Sequence, residues 1–185
     1  FRPYELDPTI PPGGTDYKTY MKSRFGSDQG RDRANQMRDL LVQYGKEEGI
    51  PFDFEKITWR PNSFDAHRLV RWGQGQNVGL ETKEALFEAY FSNGQDIGDP
   101  EVLITLAAKV GLDSNIVSDL LASDADVDST RQEQELFRQM GISGVPTFIA
   151  HRQIAVQGAE SAEKLARFLK TAAAQMPQER PLADV

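Results

Sequence analysis

The chain has 185 residues, of which 39% are hydrophobic and 26% are charged, a composition typical of an ordinary globular domain. Its formal net charge of −7 argues against a nucleic-acid partner, because phosphate binding needs clustered Lys and Arg. No apolar run approaches the length that spans a membrane, so we expect no membrane partner.

The absence of cysteine limits the chemistry that these residues can perform by themselves. Without a thiol there is no disulfide, no thiolate zinc site and no cysteine nucleophile. The two histidines are too few for a histidine-rich metal site. The alternating acids Asp124, Asp126 and Asp128 lack the later glycine and glutamate of a calcium loop. We therefore expect no metal.

The opening residues, Phe1 to Leu6, alternate apolar and polar side chains as a half-buried strand does. The sequence starts without Met and in the middle of this pattern, so we expect an upstream segment that supplies a further strand and a connecting helix. The prolines and glycines between Asp7 and Gly14 predict a loop after the strand.

Apolar residues then recur at helical spacing through most of the chain. This spacing predicts helices over residues 16–25, 29–48, 64–75, 80–91, 99–110, 113–121 and 128–140. Residues 52–61 are aromatic and irregular, and fit either a short extended segment or a loop. We expect the core of this helical block to contain four aromatic residues, which could alternatively wall a groove: Trp59, Trp72, Phe52 and Phe54.

The last part of the chain predicts a strand hairpin and a helix. Residues 147–150 and 153–156 read as strands too close in sequence to be parallel, with His151 and Arg152 at a solvated tip. An amphipathic helix follows from Ser161 to about Ala173.

The order predicts an α/β, thioredoxin-like fold with a large all-helical insertion. We assign 1–14 and 141–176 to the thioredoxin-like core, 15–140 to the insertion and 177–185 to a tail.

Several segments in the right order resemble one family, the FrnE-like group of the DsbA-like thioredoxin superfamily, also described as polyketide-biosynthesis dithiol-disulfide isomerases. The matching segments are Phe1-Arg-Pro-Tyr-Glu-Leu-Asp-Pro8, Pro61-Asn-Ser-Phe-Asp-Ala-His-Arg-Leu69, Ala85-Leu-Phe-Glu-Ala-Tyr-Phe91, Asp96-Ile-Gly-Asp-Pro100, Gly141-Ile-Ser-Gly-Val-Pro-Thr-Phe148 and Ala155-Val-Gln-Gly-Ala159.

The resemblance implies a site around Val145 and Pro146. By local sequence alone this pair is a turn that enters a strand, whereas the family implies a cis Pro146 with the Val145 backbone facing the substrate. His67 fits either a helix-face histidine packed beside Phe64 or a polar residue lining a cleft, and Asn62 is a second cleft candidate. The family's catalytic Cys-x-x-Cys is expected upstream of Phe1.

Three functions follow from the resemblance. The first is a thiol-disulfide oxidoreductase or isomerase acting on a thiol or disulfide substrate, which would be a protein, a peptide or glutathione. The second is a glutathione-dependent enzyme, similar to 2-hydroxychromene-2-carboxylate isomerases or kappa-class glutathione transferases, that uses a serine. The third is a non-catalytic peptide-binding module. We expect no cofactor other than glutathione as a substrate or co-substrate. The family implies a cytoplasmic location. The sequence leaves the oligomeric state open, with a homodimer as one alternative.

Overall fold

Eight α-helices and four short strands make up the part of the chain described by the computed structural model, residues 1–151 and 153–175. The helices are α1 (Tyr17–Phe25), α2 (Asp28–Glu48), α3 (Phe64–Gly75), α4 (Gly79–Phe87), α5 (Pro100–Lys109), α6 (Ser114–Leu121), α7 (Val127–Gln139) and α8 (Ala162–Ala174). The strands are β1 (Thr15–Asp16), β2 (Trp59–Arg60), β3 (Thr147–Ala150) and β4 (Ile154–Gln157). All the predicted helices are therefore confirmed.

Two compact units divide the chain, one from Phe1 to Gln134 and one that begins at Glu135. Residues 1–14 group with the helices of the first unit by their contacts, whereas the sequence assigned them to the thioredoxin-like core. That assignment stays a prediction, and its tail, 177–185, lies outside the described residues together with residue 176.

The core of the first unit is built from α3, α4, α5, α6 and the turn after α4. Its buried residues are mostly small or aliphatic: Ala66, Leu69, Ala85, Leu86, Ala89, Leu103, Leu106, Ala107 and Val117. Trp72 packs against this cluster as expected, whereas Trp59 is 37% exposed.

The predicted helix over 80–91 ends as an α-helix at Phe87 and continues as a π-helical turn, Glu88–Ser92. The π-helical turn buries Ala89 and Tyr90, two of the apolar residues on which the helix prediction rested.

The helix that begins at Pro100 shows how local sequence sets an element boundary. The Asp99 side chain accepts a hydrogen bond from the Glu101 N–H at 2.9 Å, and Pro100 occupies the first turn, where its missing N–H costs nothing. The predicted start of this helix at residue 99 is thus confirmed to within one residue.

The predicted opening strand is wrong: residues 1–5 form no strand in the structure. A strand must hydrogen-bond to the backbone of a neighbouring strand, whereas here side chains of α7 bind polar groups of residues 1–5. The Glu5 N–H donates to Gln134 Oε1 at 2.8 Å, and Arg2 lies 3.0 Å from a carboxylate oxygen of Glu133 on α7. Alternation therefore identified a partly buried segment without identifying its backbone partner.

Residues 52–61, which the sequence left undecided, form a 3₁₀ turn at Phe54–Lys56 and the strand β2. Strand β2 pairs antiparallel with β1, a pairing too short to be detected from sequence. Phe52 stacks on Phe54 with ring centroids 5.4 Å apart, and Phe91 meets Phe52 edge to face at 5.9 Å. These ring contacts hold the segment against the turn that follows α4.

A buried guanidinium joins α3 to the connection between α6 and α7. Arg68 is 2% exposed, and its Nη2 donates to the carbonyl oxygens of Leu120, Ser123 and Ala125 at 2.7, 2.9 and 2.8 Å. Its Nη1 lies 2.8 Å from Oδ1 of Asp65, one turn earlier on α3. The side chain thus donates hydrogen bonds to carbonyl groups at and after the end of α6, where the regular hydrogen bonds of the helix stop.

Replacing Arg68 with methionine is expected to lower the free energy of unfolding by about 3 kcal/mol, because the carbonyls of Ser123 and Ala125 lose a donor and Asp65 loses its ion-pair partner. Urea unfolding measures this loss. Arg167→Met on α8 is the matched control, since Arg167 is exposed and makes no hydrogen bond or ion pair with the described residues. Equal stability of the two variants would contradict the role assigned to Arg68.

The second unit contains the predicted hairpin and final helix. Strands β3 and β4 pair antiparallel, with Thr147 opposite Gln157 and Ala150 opposite Ile154, one residue later on β4 than predicted. Ser161 caps α8 by accepting from the Lys164 N–H. His151 is exposed, yet its Nε2 lies 2.9 Å from the Ala172 carbonyl oxygen, a contact beyond the solvation expected for it. Arg152 lies outside the described residues.

Candidate functional site

The loop before β3 carries the two residues that the sequence singled out as substrate-binding. The Val145–Pro146 peptide bond is cis in the structure, the conformation that the family resemblance implied. Val145 is 50% exposed, and its backbone N–H and C=O make no hydrogen bond with any described residue. Val145 is therefore half exposed, and no described residue uses its backbone N–H and C=O.

Three hydrogen bonds fix the loop on its own hairpin. The Gly158 N–H donates to the Pro146 carbonyl at 2.7 Å, and Thr147 Oγ1 donates to the Gly144 carbonyl at 2.7 Å. Gln157, which lies opposite Thr147 in the register, donates from Nε2 to Ser143 Oγ at 3.2 Å. The end of β4 thus holds both sides of the loop, so the Val145 backbone is presented by a rigid support.

Sequence reasoning did not identify these supporting residues. Gly158 has φ +95°, a conformation that glycine adopts readily, and it directly follows β4. In the sequence analysis the Val-Gln-Gly run, residues 156–158, served only as one of the segments that match the family. This run is the signal that could have predicted the hydrogen bonds from Gln157 and Gly158 to the loop.

An open backbone edge lies beside the loop. Strands β3 and β4 form a two-stranded sheet, and within residues 1–151 and 153–175 no third strand pairs with either of them. A hairpin of two strands is marginally stable by itself and leaves unpaired N–H and C=O groups on its outer edges. The second unit can thus accept a further strand.

The two candidate cleft residues, Asn62 and His67, belong to the first unit and connect its amino-terminal segment to α3. Asn62 Nδ2 donates to the Ile10 carbonyl at 2.8 Å, and its Oδ1 accepts from the Phe64 N–H at 2.9 Å. The His67 ring is hydrogen-bonded to the backbone of Tyr4. Their contribution to a cleft stays a prediction.

Burial determines the charge of His67. Loss of water around the half-buried ring lowers its pKa from 6.5 to about 4, and the hydrogen bond to the Tyr4 backbone offsets part of this effect. The imidazole is therefore neutral at pH 7, with one nitrogen available to donate to the Tyr4 carbonyl.

The titration of His67 is expected to make the stability of the protein depend on pH. The unfolded chain binds a proton at His67 as the pH falls through 6.5, whereas the folded chain binds it only near pH 4. The neutral ring therefore contributes stability above pH 6.5 that is lost between 6.5 and 4.

In urea unfolding at about pH 7 and about pH 4.5, the wild-type protein should lose about 2–3 kcal/mol more than His67→Gln. Glutamine can still donate to the Tyr4 carbonyl but does not titrate, which makes it the matched variant. Parallel pH profiles for the two proteins would show that the ring is accessible to protons in the folded state.

The first unit is the helical block and the second ends in the strand-strand-helix order of a thioredoxin-like domain, and comparison with known proteins identifies the same class. A sequence profile of the DSBA-like thioredoxin domain matches residues 1–170, so the chain belongs to this family. Among the described helices, none combines the length and apolar character needed to cross a membrane.

Similar solved structures support the fold. A probable DsbA oxidoreductase from Streptomyces coelicolor, SCO1869, is 27% identical with a TM-score of 0.82, covering 100% of this chain and 77% of that one. A 2-hydroxychromene-2-carboxylate isomerase is 16% identical, with a TM-score of 0.62 and coverage of 94% and 78%. A putative protein disulfide isomerase from Nitrosomonas europaea is 19% identical, with a TM-score of 0.63 and coverage of 79% and 76%. The last two show the fold alone.

One curated relative was found by sequence. The uncharacterized protein YwbO of Bacillus subtilis strain 168 is 30% identical over 102 residues, which are 55% of this chain and 51% of that protein. The match thus spans about half the length of the relative.

Proposed function

We propose that this chain is the substrate-binding part of a thiol-disulfide oxidoreductase or isomerase of the DsbA type. The observation that carries the proposal is the loop at Val145 and Pro146: Val145 is half exposed with backbone groups that no described residue uses, and the end of β4 holds the loop in place. Membership of the DSBA-like thioredoxin domain family and the similarity to the Streptomyces structure support it.

The Val145 backbone is suited to binding an extended peptide. An N–H and a C=O without partners can form two hydrogen bonds to the main chain of a substrate, as in strand addition, whatever its side chains are. Such recognition suits an enzyme that acts on several disulfides, because the disulfide is positioned by backbone contacts common to all peptides. Glutathione offers the same groups.

The redox groups are proposed to precede Phe1. The family places a Cys-x-x-Cys at the start of the first helix, where the helix dipole and free N–H groups lower the pKa of a thiol. The unpaired edge of β3 supports this arrangement, because it can pair with the strand that would lead into that helix.

The reaction itself is a thiol-disulfide exchange. The protein thiolate attacks one sulfur of the substrate disulfide, forms a mixed disulfide and releases the other sulfur as a thiolate. The second protein thiolate then attacks the protein sulfur of the mixed disulfide, forms the protein disulfide and releases the remaining substrate sulfur as a thiolate. The protein dithiol is oxidised by two electrons and the substrate disulfide is reduced by two, and oxidation of a substrate dithiol is the reverse.

A second candidate is a glutathione-dependent isomerase or transferase in which a serine hydroxyl hydrogen-bonds the glutathione thiolate. The fold similarity to 2-hydroxychromene-2-carboxylate isomerase and the lack of cysteine in these residues favour it. A serine in place of the first cysteine would distinguish this candidate from the dithiol enzyme. With neither group, the third candidate, a peptide-binding module, remains.

The proposal is tested on the native protein by thiol alkylation with mass spectrometry and by thiol-dependent reduction of insulin. We expect two reactive cysteines, insulin reduction, and loss of that activity when both are replaced by serine. Activity that persists in the double variant, or a native protein without cysteine, would exclude the dithiol mechanism.

Substrate binding at the loop is tested separately with Val145→Glu. A charge beside the backbone groups that hold the peptide should lower kcat/KM for insulin about tenfold, because it must be desolvated when the substrate binds. Ala155→Glu is the matched control, since Ala155 is an exposed residue of the same hairpin that pairs with Ile149. Equal activity of the two variants would remove Val145 from the site.

The family resemblance is the basis for proposing a cytoplasmic location. Cell fractionation with a compartment marker tests it, and recovery of the protein outside the cytoplasmic fraction would refute it.

A further inference from the structure

Helix α2 has an apolar stripe that faces away from the chain. Four residues at positions i, i+3, i+4 and i+7 form it: Met37, Leu40, Leu41 and Tyr44, with exposures of 60%, 50%, 39% and 57%. This spacing is that of a helix face packed against another helix. We call these four residues the α2 stripe.

The α2 stripe is distinct from the side of the helix that contacts its own unit. That side carries Gly45, which is buried, and Arg38, whose Nη2 donates to the Tyr17 hydroxyl at 2.7 Å. A Cβ at Gly45 would lie 2.6 Å from the Phe52 ring, so the helix approaches its neighbours closely there. The contacts within the unit thus leave the stripe exposed.

The order of residues along the stripe is self-complementary. When two copies of α2 pack antiparallel about a two-fold axis midway between Leu40 and Leu41, each residue lies opposite the one equally far on the other side of the axis. Leu40 then faces the partner's Leu41, and Met37 faces the partner's Tyr44. Because the axis is two-fold, the dimer contains two Leu40–Leu41 contacts and two Met37–Tyr44 contacts between the helices.

The charges at the ends of the stripe fit the same register. Arg33 and Glu48 are equidistant from the axis, so each arginine lies opposite the partner's Glu48. Both residues are exposed, and neither makes an ion pair within the described residues. The contact would extend over about 24 Å of helix at 1.5 Å per residue.

We propose that the chain forms a homodimer through antiparallel pairing of the α2 stripe, with Arg33 paired to the partner's Glu48. Both the apolar order and the charge order identify the partner as a second copy. The contact is independent of the proposed enzymatic activity. One helix face on each chain is smaller than a standard protein interface, so the dimer is weak, with a dissociation constant on the order of 10 μM.

The first experiment is sedimentation velocity of the full chain over about 1–300 μM. The wild-type protein should change from its monomer mass, of which these 185 residues make up 20.7 kDa, to about twice the monomer mass. Leu40→Glu should raise the dissociation constant about tenfold or more, because each dimer would bury two charges in place of two leucines. Leu80→Glu is the matched control, since Leu80 on α4 is 49% exposed against 50% for Leu40.

The second experiment tests the register by charge exchange. Arg33→Glu and Glu48→Arg should each weaken the homodimer, because each places like charges opposite one another. Mixing the two variants should restore dimers, because the mixed pair has opposite charges at both ends. The pattern does not depend on Leu40→Glu remaining folded.

Three outcomes would overturn the proposal. One is a wild-type protein that stays monomeric over the whole range, as it would if another segment or partner covered the stripe. Another is a dimer that Leu40→Glu and Leu80→Glu affect equally. The third is a pair of charge variants that associate no better when mixed than alone.

Discussion

The arrangement of the first unit depends on one buried guanidinium. Arg68 binds three carbonyl oxygens between Leu120 and Ala125, so it fixes where the chain goes after α6. Asp126 follows at φ 53° and accepts a hydrogen bond from Trp72 Nε1. That turn starts α7, whose residues bind the amino-terminal segment. Arg68 on α3 thereby helps to place the α7 residues that hold the first residues of the chain, together with the direct contact of Arg71 with Glu133.

The helices could be predicted because each is specified locally, by apolar spacing and by caps such as Asp99 and Ser161. The structure of the opening segment could not be predicted in this way. Alternation of apolar and polar residues indicates which side chains are buried, but it does not indicate which backbone, if any, pairs with the segment. Buried polar residues were also missed. Arg68 and Gln134 are 2% and 1% exposed, although their types usually remain in water. Their burial depends on acceptors and donors far away in sequence.

The candidate site also contains some residues that could be found from the sequence and others that could not. Val145 and Pro146 were found from a family resemblance, because a proline before a strand has a simpler local explanation. The supports from Gln157 and Gly158 depend on the register of the hairpin, which the sequence predicted only to within one residue. For His67, the bond to Tyr4 brings together residues far apart in the chain, and no local pattern contains that information.

The open edge of β3 also bears on solubility. An unpaired strand edge can add the edge of another molecule, and this is a route to aggregation. Two features of the hairpin limit that risk. The strands have four residues each, which makes a short template, and Pro146 at the entry to β3 has no N–H with which to extend the ladder. The residue that presents the candidate site therefore also limits unwanted strand pairing beside it.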